Sequence, residues 1–239
     1  MFKKLQLLLC LLVLSVQGYA QSILLEQDVN KDTIVKTFGP NLKNFSHFYY
    51  GFGALSSPVE GKGLELNYLL SNEFSLGLRY KRKVNNVYSF GGDLNCAIQS
   101  YNITQNNQKT FPDGIVHKKQ RLVTRNFGLE FYNRLNFGKR GNYIGNFIDV
   151  LAFGQWDFFP TTVTFDTFKT ENGILAGKTK QIQSKLSYIN PINYGIGARI
   201  GFNKFVFYGS YRLSNMFYNS FHFPEVPRLI VGLQLGLHS

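Results

Sequence analysis

From Phe48 onward, apolar residues alternate with small and polar ones at a period of two, the pattern of strands with one apolar and one polar face. The last run is the clearest. Leu229, Val231, Leu233, Leu235 and Leu237 share one face, with Ile230, Gly232, Gln234 and Gly236 on the other. Before it, Phe205, Phe207, Gly209, Tyr211 and Leu213 alternate with Val206, Tyr208, Ser210 and Arg212. Tyr194, Ile196, Ala198, Ile200 and Phe202 likewise oppose Gly195, Gly197, Arg199 and Gly201. Asn203-Lys204 alone separates these two runs, the length of a two-residue hairpin turn. The same texture predicts strands at 47–55, 63–70, 74–82, 88–101, 122–137 and 144–158.

These runs make nine candidates, whereas bacterial single-chain barrels use even numbers. Loop length favours eight. Counted back from the C-terminus, the short connections 203–204, 138–142 and 84–86 fall at one end, and 105–118, 166–180 and 217–226 at the other. Short turns face the periplasm and long loops the exterior in such barrels. The expectation is an all-β fold: an antiparallel up-and-down transmembrane β-barrel of eight strands beginning at residue 63, with 47–55 unplaced. Ten strands is the alternative.

The N-terminus reads as an address. Lys3 and Lys4 precede an apolar run from Leu5 to Val16, and small residues flank a cut after Ala20. That is the layout of a secretory signal peptide over residues 1–20. Residues 21–45 are a polar lead segment, and residues 46–239 form the barrel. Cys96 is then the single remaining cysteine, so no internal disulfide is available. No apolar stretch after the leader approaches the ~18 residues of a spanning helix.

Composition narrows the reading further. The 239 residues are 44% apolar, 16% aromatic and 17% charged, with a mean hydropathy of −0.13. This charge content is low for a soluble domain, and the hydropathy is too polar for a helical membrane protein. The chain carries +12, or +10 once the two lysines of residues 1–20 are removed. The apolar faces carry almost no charge. Arg125 and Asn133 are the exceptions, and fit near a strand end or a bulge. The opposite faces carry Glu65, Asp93, Glu130, Asp149 and Asp157 with Arg79, Lys81, Arg134, Arg199 and Arg212. Five acids against five bases predict an ion-pair network filling a narrow, non-conducting lumen, because unpaired charge there would cost several kcal/mol per group. Phe158, Phe159, Tyr208, Tyr211 and Phe217 are candidates for interfacial aromatic girdles.

The block Phe-Gly-Lys-Arg-Gly-Asn-Tyr-Ile-Gly-Asn-Phe-Ile-Asp (137–149) resembles small outer-membrane β-barrel proteins of the Bacteroidetes type. So do Tyr-Gly-Ile-Gly-Ala-Arg-Ile-Gly-Phe-Asn-Lys (194–204), Tyr211-Arg-Leu-Ser214 and the ending from Pro224 to His238. The resemblance implies architecture and an outer-membrane location, and little about activity. The chain departs from it by ending Leu237-His238-Ser239, without a terminal aromatic.

Candidate chemistry is sparse. His47, His117, His222 and His238 show no metal-motif spacing, and neither a GxSxG elbow nor a P-loop is present. A lipid-modifying site could at most be assembled from Ser220, His222 and Glu225 in the 217–226 loop. The basic balance suits anionic lipid head groups, with Lys118, Lys119 and Arg121 near one rim, better than nucleic acid. The reading is therefore a non-enzymatic barrel without a cofactor. Its expected partners are outer-membrane lipid or lipopolysaccharide and other outer-membrane or periplasmic proteins, engaged by loops held on a rigid scaffold. A narrow pore is the alternative, and a lipid-modifying enzyme a weaker one.

Overall fold

A computed structural model of the chain describes residues 36–56, 63–138, 141–169 and 175–238. The proposed signal peptide and most of the lead segment lie outside the described residues. Ten antiparallel strands are present: β1 (Asn44–Ser56), β2 (Asn72–Lys83), β3 (Tyr88–Ile103), β4 (Lys119–Phe137), β5 (Asn146–Asp157), β6 (Thr161–Lys169), β7 (Leu175–Ser184), β8 (Ile192–Phe202), β9 (Phe205–Arg212) and β10 (Leu229–Leu237). Pairing runs β1–β2–β3–β4–β5–β8–β9–β10 and returns from β10 to β1, closing an eight-stranded transmembrane barrel. Closure leaves these strands without a free edge in hydrocarbon, where an unpaired backbone group costs several kcal/mol.

The strand number agrees with the sequence reading, but one strand differs. Residues 47–55 belong to β1, paired to both β2 and β10. Residues 63–70 form no strand; Leu66 makes an isolated bridge to Ile103 of β3. Leu64 and Leu66 alternate because both enter a buried apolar cluster among the loops, at 2% and 5% exposure. Their pattern is that of a strand, while the cause is a different core.

The segment 166–180, expected as a loop, is instead largely a hairpin of β6 and β7. β6 prolongs β5 alongside β4: Asn126 pairs with Asp157, and Val123 then pairs with Thr161. β7 returns beside β6, and the chain then enters β8, which pairs with β5. Pro160 and Pro191 interrupt the two paths, each removing a backbone donor from the ladder. Bonds across the break hold the rim together, from Asp157 N–H to Pro191 O (2.7 Å) and from Phe158 N–H to Arg125 O (3.0 Å).

Alternation fixes what faces outward. Phe52, Phe74, Phe131, Val150, Ile196, Phe207 and Leu233 each remain at least half exposed on the wall. In water each such side chain would forgo roughly 1.5–3 kcal/mol of burial. In a bilayer the surrounding hydrocarbon supplies that burial, so this is a lipid-facing surface. Arg125 and Asn133, the polar residues expected on it, are satisfied locally. Arg125 donates to Phe159 O (3.1 Å) at the rim, and Asn133 accepts from the Tyr88 hydroxyl at 2.5 Å. Trp156, Phe158 and Phe159 form a run of rings 5.5–5.9 Å apart beside Arg125. Tyr211 also faces outward, at 41% exposure. Tyr208 and Phe217 do not belong to a girdle. Tyr208 lies on the inward face of β9, and Phe217 is buried among the loops.

Candidate functional site

The lumen is filled by side chains whose positions follow from strand parity. Arg79 on β2, Asp93 on β3, Glu130 and Arg134 on β4, Asp149 on β5 and Arg199 on β8 all point inward. Arg199 is the hub. Its guanidinium lies 2.5 Å from Asp93, 3.3 Å from Glu130 and 3.3 Å from Asp149. Arg79 pairs with Asp93 at 2.8 Å and donates to the Gln234 side chain at 2.7 Å. Arg134 holds Asp149 with two parallel bonds of 2.7 and 2.8 Å, the fork geometry in which arginine binds carboxylate best. The arginine planes also lie over aromatic rings: Arg79 over Tyr49 at 4.4 Å, Arg199 over Tyr132 at 4.9 Å and Arg134 over Phe147 at 3.4 Å. Each cation is thus held by both carboxylates and ring faces, which offsets the cost of its burial.

The remaining residues of the expected network lie elsewhere. Glu65 is not in the lumen; it sits in the 63–71 loop and accepts from Asn106 at 2.7 Å. Lys81 reaches the Pro40 carbonyl at the short-turn end. Asp157 accepts from Asn193 at 2.7 Å, and Arg212 pairs with Glu225 at 2.8 Å, both at the long-loop end. An acid outside the expected set takes a lumen position: Glu73 accepts from Gln99 (2.8 Å) and from the Tyr208 hydroxyl (2.9 Å). Glu73 stands one residue ahead of the sequence-derived strand 74–82, so extending that alternation by one step would have found it. Tyr49, Tyr132 and Phe147 share the inward parity of the charges, and that was their signal.

Above the hub lies a polar cavity of about 60 Å³ lined by Glu73, Glu130, Arg199, Tyr208 and Arg212, among others. That is room for about four water molecules. An apolar cluster lies at each end of the barrel. At the short-turn end Phe45, Ile144, Phe147 and Val206 pack together, with His47 against Phe45 at 5.2 Å and against His238 at 5.1 Å. At the long-loop end the loops build a core of their own. Phe111, fully buried, packs on Phe217 (4.7 Å), Phe223 (5.0 Å) and Tyr188 (5.6 Å), joined by Leu55, Leu64, Leu122 and Met216. These loops therefore form a folded cap.

The arrangement offers no relay for nucleophilic chemistry at the one place considered for it. His222 contacts the Ser220 carbonyl at 3.2 Å, while Glu225 is occupied by Arg212 and by Met216 N–H (3.0 Å). No group of three or more His, Cys, Asp or Glu side chains suited to a metal occurs among the described residues.

Fold and lumen together define an eight-stranded transmembrane β-barrel of the outer-membrane type. No family model matches the chain, and no curated protein matches it. Among solved structures the chain is similar to Ail, the attachment invasion locus protein of Yersinia pestis, solved in complex with the heparin analogue sucrose octasulfate. The two share 12% sequence identity with a TM-score of 0.34, over 80% of this chain and 97% of the other.

Proposed function

We propose that this chain is a non-enzymatic integral protein of the bacterial outer membrane, exported by a cleaved signal peptide. Its lumen is plugged, and it acts as a structural or partner-docking component through its capped long-loop end. The single observation that carries this reading is the Arg199 hub, whose three carboxylate partners come from β3, β4 and β5 and so tie opposite walls together. An ion crossing the barrel would have to part those pairs in a narrow, low-dielectric space. The resemblance of 137–149 and 194–204 to Bacteroidetes-type barrels supports the same location. The test is planar-bilayer conductance of the refolded full chain, with closure checked by heat-modifiable gel migration. A closed barrel with no steady current is the expected result. Reproducible single-channel steps would make transport the leading function instead.

A further inference from the structure

Above the aromatic run at Trp156, Phe158 and Phe159, the barrel wall does not stop. β4 continues upward as Lys119–Val123 and is joined there by β6 and β7. On β4 the residues that carry on the outward, lipid-facing parity are Arg125, Val123, Arg121 and Lys119. Register places Val163 and Ile182 beside Arg121, and Phe165 and Lys180 beside Lys119, with Lys178 opposite Thr167 one step further on. The outward face of this small sheet thus displays Lys119, Arg121, Lys178 and Lys180 around Phe165 and Ile182, while Val163 at the same parity is buried. None of its described positions is acidic; Asp166 lies on the other parity, against His117. Lys119, Lys178 and Lys180 are exposed. The buried Arg121 Nε has no protein partner.

From these relations we infer that this face is a binding surface for the phosphorylated head group of a membrane glycolipid packed against the barrel. Two observations favour a lipid over a soluble polyanion. The cationic face continues the hydrocarbon-facing wall, and it begins directly above the interfacial rings. At roughly 3.3 Å of rise per residue, Arg121 and Lys119 stand about 13 and 20 Å along the strand from Arg125. After strand tilt that is the depth of phosphorylated sugars, with acyl chains lying along Phe127 and Trp156 below. Basic residues beside a membrane attract anionic head groups by about fivefold each. The inference rests on the long-loop end facing the outer leaflet, as proposed above.

Trp156 is the only tryptophan of the chain and lies on the wall beside Phe127, so it reports on the lipid at this site. The refolded full chain is placed in bilayers of phosphatidylcholine with brominated acyl chains, which quench Trp156. Unbrominated, bisphosphorylated lipid A then replaces part of that lipid. Recovery of fluorescence beyond the bulk mole fraction, by fivefold or more in relative affinity, is the expected result. It should fall to near unity in the Lys119→Gln/Arg121→Gln/Lys178→Gln/Lys180→Gln variant and persist when the three lysines become arginine. Heat-modifiable migration verifies that each variant is folded. Equal preference in wild type and the glutamine variant, or an undiminished preference for lipid A stripped of phosphate, would overturn the inference. So would charge-dependent binding of a soluble sulfated oligosaccharide with no lipid preference. A conducting barrel would sink the plugged lumen and leave this lipid preference standing, so the two failures are distinguishable.

Discussion

Arg199 on β8 holds its guanidinium 2.5 Å from the Asp93 carboxylate on β3, although β4 and β5 separate the two strands in the wall. The pair therefore spans the lumen. Glu130 and Asp149 share the same cation, so removing Arg199 takes a partner from three carboxylates and leaves Glu130 without its cation, whereas removing Arg79 leaves Asp93 still paired.

Arg199→Met is accordingly expected to lower stability by about 3–5 kcal/mol, the range for breaking a buried pair from one side. Arg79→Met should cost distinctly less. Urea titration in detergent micelles, followed by Trp156 emission, measures both. Equal losses would remove Arg199 as the hub.

Gly201 sits inward on β8 against the Phe147 ring, over which the Arg134 guanidinium lies at 3.4 Å. A Cβ at 201 would overlap that ring, and any shift of the ring would disturb its stack with Arg134. Gly201→Ala should destabilise the barrel by about 1–3 kcal/mol, as overpacking does. Phe147→Leu in the same chain should recover part of the loss in the same titration.

Cys96 faces outward on β3, opposite Leu76 on β2 and Phe127 on β4. In bilayers it should resist a charged, water-soluble maleimide and react with a lipid-soluble one. Mass spectrometry of the intact protein reads the difference. Rapid labelling by the charged reagent in the folded, membrane-embedded protein would contradict the lipid-facing wall.

His117 joins the loop before β4 to the hairpin through Asp166, at 2.9 Å. Partial burial pushes the Asp166 carboxyl upward, but its hydrogen bonds to His117 and from the Lys118 N–H outweigh this and hold it below the ordinary value. A carboxylate depressed by folding contributes stability above its unfolded pKa of about 4, and that contribution disappears as pH falls through the lower folded value. Amide exchange at Lys118 should therefore stay protected down to about pH 4 and open below it. In Asp166→Asn the same amide should already exchange faster at pH 6.

Much of the barrel was legible because one physical rule governs every wall residue: outward means hydrocarbon, inward means lumen. The inward charges on β2, β3, β4, β5 and β8 follow from that parity alone. The first strand was misplaced because Leu64 and Leu66 alternate as well as Phe48, Tyr50 and Phe52 do, and period two does not distinguish a loop core from lipid. In β1, Gly51 and Gly53 relieve crowding inside the barrel: a Cβ there would collide with Ser75 and with the Tyr208 hydroxyl. The hairpin escaped notice for the opposite reason. Thr161, Thr162, Thr164, Lys178, Thr179 and Gln181 are polar on both faces, so no alternation marks them. Glu65 entered the expected lumen only because its segment had been read as a strand.

The two prolines at the rim make the hairpin a detachable part. β6 shares five register pairs with β4, and β7 pairs with β6, whereas the barrel closes through β5 and β8 below the break. Residues beyond Pro160 can therefore be exchanged for a foreign hairpin of matched ends without altering the shear or circumference of the cylinder beneath. The molecule is built like a tool with a fixed shank and an interchangeable head, and it lends itself to carrying grafted segments at its long-loop end.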